Sequence, residues 1–257
     1  MIIDLDKLFE DYLREIVMPQ VGKVKPEVLE AQIPDMYEEW KDTPSVDLDG
    51  LSPRDYVAKL DDECRLIEIV RECISMDKDI PDMVLMELSK EAYVLDLAEL
   101  AIEHENFAIS LISAIDESGS HKADDILLSM MLDPLRDRDL RDMIGDTLSR
   151  GREEIVDKIL PLLSEYEDET FDILLDIVSH YIGREEVYEW LVRTFLKGEN
   201  ISLHATYLGQ YGDDRAIDVL IDFAKMHTLN YYDFLDIRSA VERLGGEMPE
   251  YQYDIIK

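Results

Sequence analysis

The chain has 257 residues, 46% of them apolar, enough to bury a large core and to argue against a disordered polypeptide despite the charge. Its 60 acidic against 26 basic side chains give a formal net charge of −34. Such a surface repels phosphate backbones and anionic bilayers, so neither a nucleic acid nor a membrane is expected as a partner, whereas a basic protein would be steered toward it.

The first predicted element is an amphipathic helix over residues 4–18, with Leu5, Leu8, Phe9, Tyr12, Leu13 and Ile16 on one face. Pro19 and the turn after it end this helix, and Pro26 is placed to begin the next one. A helix through Trp40 follows, bent or interrupted at Pro34. The loop DTPSVDLDG then leads to Ser52 and Pro53, a natural N-cap and first-turn residue. Helices are expected over 61–76, 81–89, 92–104, 106–117, 121–132, 137–149, 153–165, 168–182, 185–197, 201–211, 213–226 and 231–244, with no run of period two that would make a strand.

Gly119, Gly151, Gly183, Gly212 and Gly245 recur at intervals of 32, 32, 29 and 33 residues. Four positions after the first four of them come Ala123, Ile155, Val187 and Ala216; six after, the acids Asp125, Asp157, Glu189 and Asp218; eight after, Leu127, Ile159, Leu191 and Leu220. A period of this length marks stacked helix–turn–helix units, none able to cover its apolar face alone. The fold expected is all-α: a right-handed superhelix of antiparallel helix pairs over residues 61–246, preceded by a helical segment over 1–60. Residues 247–257 form a C-terminal tail, whose Tyr251, Tyr253, Ile255 and Ile256 would cap the last repeat.

The repeats resemble HEAT repeats, most closely in ISLHATYLGQYGDDRAIDVLIDFAK, where Ala205, Leu208, Gly209, Gly212, Asp213, Ala216 and Leu220 follow that family's pattern. The resemblance covers about residues 92–246 and implies an α-solenoid that binds other proteins along its concave face. Trp40, Pro44, Leu48, Gly50 and Pro53 stand in the order W-x3-P…L-x-G-x2-P and resemble a motif of some bacterial antitoxin-type proteins. A tryptophan folded over a proline-rich turn accounts for the same residues.

No pattern of a catalytic triad, phosphate loop, dinucleotide fingerprint or zinc protease occurs, and a non-enzymatic protein without cofactor is expected. Ser45, Asp47, Asp49 and Gly50 match the start of a calcium loop, but its twelfth position is Tyr56 rather than a bidentate glutamate, so a turn and helix cap is the expectation. Asp172, Asp176 and His180 line one helix face at intervals of four, a row with one histidine and no second one near in sequence. The remaining histidines, His104, His121, His204 and His227, are scattered, and no metal site is assigned. Cys64 and Cys73, on opposite faces of the helix expected over 61–76, read as buried thiols of a reducing compartment. With acids at Asp4 and Asp6 in place of a basic leader, the expected location is cytoplasmic.

The expected contact set for a protein partner, possibly a basic one, is Arg138, Arg141, Asp142, Asp172, Asp176, His180, His204, Tyr207, Arg238 and Glu242 on the second helices of the repeats. Two rival readings remain open. One is an acidic inhibitor of immunity or antitoxin type that masks a basic surface. The other is a protein with a ligand or metal in its groove.

Overall fold

The computed structural model of the chain describes residues 4–62 and 64–248. The described residues are all-α and contain no strand, only an isolated bridge between Val21 and Val24. They divide between Ala123 and Asp124 into two units. The boundary expected near residue 60 falls inside a helix. The expected capping tail, with Tyr251, Tyr253, Ile255 and Ile256, lies outside the described residues.

The N-terminal unit holds α1 (Leu5–Val17), α2 (Pro26–Glu30), α3 (Ile33–Lys41), α4 (Pro53–Asp62), α5 (Leu66–Ser75), α6 (Asp82–Leu88), α7 (Val94–Glu103) and α8 (Glu105–Glu117). Short 3-10 turns lie at Met18–Gln20 and Val46–Leu48. Pro34 sits in the first turn of α3, where its missing N–H costs nothing, so the expected interruption becomes a helix start. α1 packs on α3 through Phe9, Tyr37 and Trp40, whose ring centroids lie 4.9 to 5.6 Å apart. Ser52 caps α4 by accepting from the Asp55 N–H at 3.1 Å while its hydroxyl donates to the Asp55 carboxylate at 2.8 Å. Upstream, Ser45 accepts from the Asp47 N–H and Asp49 adopts a left-handed conformation, so this segment is a turn and cap.

The single helix expected over 61–76 is instead two. Cys64, at φ +55, takes the left-handed position after α4, with hydrogen bonds from its N–H to Asp61 O and from the Arg65 N–H to Leu60 O. This is the bonding of a glycine-terminated helix, built without the glycine that would have announced it. The expectation that both thiols are buried is thereby corrected: Cys64 is exposed in the turn and only Cys73, within α5, is buried.

The C-terminal unit is regular. Its first helices are α9 (Asp124–Met131), α11 (Glu154–Leu162), α13 (Glu185–Leu196) and α15 (Ala216–Met226). Each is followed by a partner: α10 (Arg138–Ser149), α12 (Glu169–Ser179), α14 (Ile201–Tyr211) and α16 (Tyr231–Arg243). Each helix packs on its partner, and the second helices pack serially, α10 on α12, α12 on α14 and α14 on α16. Burial of each fully covered aliphatic side chain, such as Leu174, Leu208 or Ile237, contributes about 1.5–3 kcal/mol.

The periodic glycines serve two different needs. Gly212 has φ +81 and ends α14 in a conformation that a side chain resists. Gly151 has no positive φ. A Cβ there would lie 2.9 Å from Leu148 O and 3.2 Å from Tyr181 Oη, so space is what this position requires. The neighbouring tyrosines tie each turn to the previous one. Tyr181 donates to Leu148 O at 2.5 Å, and Tyr211 donates to Arg184 O at 2.7 Å while accepting from the Gly183 N–H. Ion pairs repeat the theme along the first helices: Lys158 with Asp125, Arg184 with Asp157 at 2.6 Å and Arg215 with Glu185 at 2.8 Å. Two of the acids at the sixth repeat position, Asp125 and Asp157, are therefore held by a base of the following repeat.

Candidate functional site

The second helices of the C-terminal unit present the densest grouping of the expected contact residues. Asp137 caps α10 and Asp168 caps α12, each carboxylate accepting a backbone N–H two residues on. These caps set the helical phase that stacks Asp142 over Asp146 on α10 and Asp172 over Asp176 on α12. Gly145 lets the two helices meet, since a Cβ there would stand 2.9 Å from Ile173 Cγ2. The result is a depression of about 280 Å³ with Arg138, Asp142, Asp146, Asp172, Asp176 and Tyr207 in its lining.

Its electrostatics are those of crowded carboxylates. Asp176 is held above the usual carboxylate range, chiefly by burial and further by Asp146 and Asp142, against the opposing pull of His180 and a hydrogen bond from Gln210. Burial, with Asp176, Asp172 and Asp142 near it, pushes the Tyr207 hydroxyl up as well. Arg138 lies within 3.6 Å of Asp142 and 3.7 Å of Glu169, both exposed pairs that contribute little.

Five of the ten expected contact residues, Arg138, Asp142, Asp172, Asp176 and Tyr207, are thus gathered in one place. Arg141 is a correction. It is 1% exposed and donates to Met131 O at 2.8 Å, to Glu169 Oε1 at 3.0 Å and to Thr170 Oγ1 at 2.7 Å, so it joins the end of α9 to the start of α12 and offers nothing to a partner. Residues three apart share a helix face, but the packing of α9 and α12 on α10 covers Arg141 and leaves Arg138 exposed. Arg238 and Glu242 pair with each other at 2.7 Å on α16, apart from the depression.

The row of Asp172, Asp176 and His180 is divided between two partners. His180 lies just past the end of α12, 3.8 Å from Asp176, while Asp172 Oδ1 faces Nε2 of His204 at 3.2 Å. A second histidine therefore does approach the row, from α14, and Nδ1 of its buried ring faces Glu199 O at 2.8 Å. Both nitrogens of His204 therefore meet oxygen atoms, one of the backbone and one of a carboxylate. Among the described residues no group of three or more His, Cys, Asp or Glu side chains is placed to hold a metal.

Beside the depression lies a larger groove of about 920 Å³, formed by the residues before α12, the first turns of α12 and α14, and one side of α13. Arg138, Asp172 and His204 reach it, but its walls are residues the sequence did not single out: Phe171, Trp190, Thr194 and Lys197. Phe171 and Trp190 meet edge to face at 6.2 Å. Arg193 lies 4.9 Å from the Trp190 ring centroid and Lys197 5.8 Å from that of Phe171. The Trp190–Arg193 spacing was visible as neighbours on one helix; Phe171 and Lys197 are brought together only by the packing of α12 on α13.

No protein-family model matches the chain. A search of the curated proteins finds no match either. No described helix is long and apolar enough to cross a membrane.

Proposed function

We propose that this chain is a non-enzymatic interaction scaffold, a HEAT-like array of helix pairs whose second helices bind a basic protein partner. The observation that carries the reading is the depression lined by Asp142, Asp146, Asp172 and Asp176, where burial, with Asp146 and Asp142 adding to it, holds Asp176 above its usual range. A partner's cations relieve that repulsion, so the same acids that weaken the free protein strengthen the complex. The repetitive architecture supports it too, because stacked repeats offer a long continuous surface rather than one enclosed site. The protein acts in the cytoplasm, where its cysteines remain reduced.

The test compares the wild-type chain with Asp146→Lys/Asp176→Lys as bait in native lysate, at low and at high salt, with captured proteins read by mass spectrometry. The expected result is a stoichiometric partner that the variant loses at least tenfold. Equal capture by both baits would refute the assignment of this face. Basic partners that all wash away with salt would instead favour an acidic inhibitor, because exposed charges are screened beyond about 8 Å at physiological ionic strength.

A further inference from the structure

We propose that the aromatic groove beside the acidic depression is a receptor for a single arginine side chain of that basic partner. The inference rests on the scaffold reading for its partner, but its geometry is independent of it. Phe171 and Trp190 form the apolar wall, and each ring already has a cation of this chain near it, Lys197 and Arg193 respectively. Rings of this kind attract cations through their negative faces, and most effectively a planar guanidinium, which stacks and is weakly hydrated.

The polar side of the groove fits the same group. Glu167, Asp168, Asp172 and Glu199 stand around it against Lys197 and Arg138, an acidic rim that selects a cation over an anion or a nucleic-acid base. Thr194, in the lining and 2% exposed, has a hydroxyl with no hydrogen-bond partner among the described residues. A buried hydroxyl left in that state is costly, and it lies in the wall of the groove between the aromatic and the acidic side chains. A guanidinium has five N–H donors in a rigid fork; an ammonium has three on a point charge. Lys197 is exposed, and over Phe171 it acts as a placeholder that an incoming guanidinium displaces.

The chain has two tryptophans, so a Trp40→Phe background leaves Trp190 as the sole reporter, inside the groove. The probes are N-acetyl-arginine amide and N-acetyl-lysine amide. Both carry one positive charge, so the acidic surface attracts them alike. The expected result is a saturable change in Trp190 emission with the arginine probe and at least about fivefold weaker binding of the lysine probe. Phe171→Leu weakens the arginine probe about threefold with helicity retained. Lys197→Ala, an exposed change that leaves the core intact, tightens it about twofold, whereas Lys225→Ala on α15 does not. Equal half-saturation by the two probes, a response that never saturates, or a Lys197→Ala variant that binds no more tightly would each overturn the proposal. Because the probes need no partner, their binding persists if only the scaffold reading fails. Conversely, partner capture that depends on Asp146 and Asp176 persists if only the groove assignment fails.

Discussion

The two units solve the same problem, ending one helix and starting the next, with different residues. In the C-terminal unit the left-handed positions at helix ends belong mostly to glycines, among them Gly183, Gly212 and Gly245. In the N-terminal unit Gly119 does so only after the last helix, and Cys64 and Asp77 hold earlier positions at φ +55 and +51. The bonding is the same in both. The Lys78 N–H reaches Cys73 O around Asp77 just as the Gly246 N–H reaches Val241 O around Gly245. The difference teaches that the repeat is a property of the turns as much as of the apolar faces. Where glycine recurs, units of similar length follow. Where other residues carry the strain, helix lengths are uneven and the period is lost.

The packing behind the turns differs as well, and the largest expected effect tests it. Trp40 is 5% exposed within an aromatic cluster. Trp40→Ala should destabilise the N-terminal unit by about 3–5 kcal/mol, read as the shift in the urea midpoint by far-UV circular dichroism. A loss below about 1 kcal/mol would mean that the cluster does not organise α1 and α3. In the C-terminal unit the corresponding weak point is a close approach rather than a large side chain. A Cβ on Gly209 would fall 2.9 Å from the Cα of Ala240. Gly209→Ala should therefore cost about 1–3 kcal/mol, although the same change in an ordinary helix interior is favourable by about 1 kcal/mol. A stabilised variant would show that α14 and α16 can separate without loss.

Smaller and of opposite sign is Asp77→Gly, which removes a left-handed non-glycine residue. It should stabilise the N-terminal unit by about 1 kcal/mol, seen as a higher melting temperature. If it does not, conformational strain is not what separates the two kinds of turn.

The smallest effect is the one that depends on pH. Asp176 binds its proton more tightly in the folded chain than at its ordinary value of 3.8. Its contribution to stability therefore falls as pH rises from about 3.8 through the raised folded value, and the penalty is fully present above that. Asp176→Asn should raise the melting temperature at pH 7 and lose that advantage below about pH 4, checked by thermal melts across this range. An advantage that is constant with pH would mean that the charge of Asp176 is not what destabilises it.

The candidate face was legible in part. The row of Asp172, Asp176 and His180 at intervals of four was readable from helical spacing, and Asp142, Asp172 and Asp176 of the expected contact set do share a depression with Arg138 and Tyr207. Arg141 was expected in the same contact set and is buried, because its three acceptors lie on other elements: Met131, Glu169 and Thr170. The contact of His204 with Asp172 spans 32 residues, and no local pattern encodes it.

By itself the sequence determined the helices, their pairing in the C-terminal unit and most of their ends, because apolar spacing, proline, capping acids and glycine act within one or two turns of chain. Which glycine was needed for its φ and which for its missing Cβ was decided only by the tertiary structure, as Gly212 and Gly151 show. The same holds for the groove of Phe171, Trp190, Thr194 and Lys197, whose walls come from separate helices. Burial and side-chain proximity between helices depend on how ridges of one pack against another, and that relation has no counterpart in the spacing of residues along a single helix.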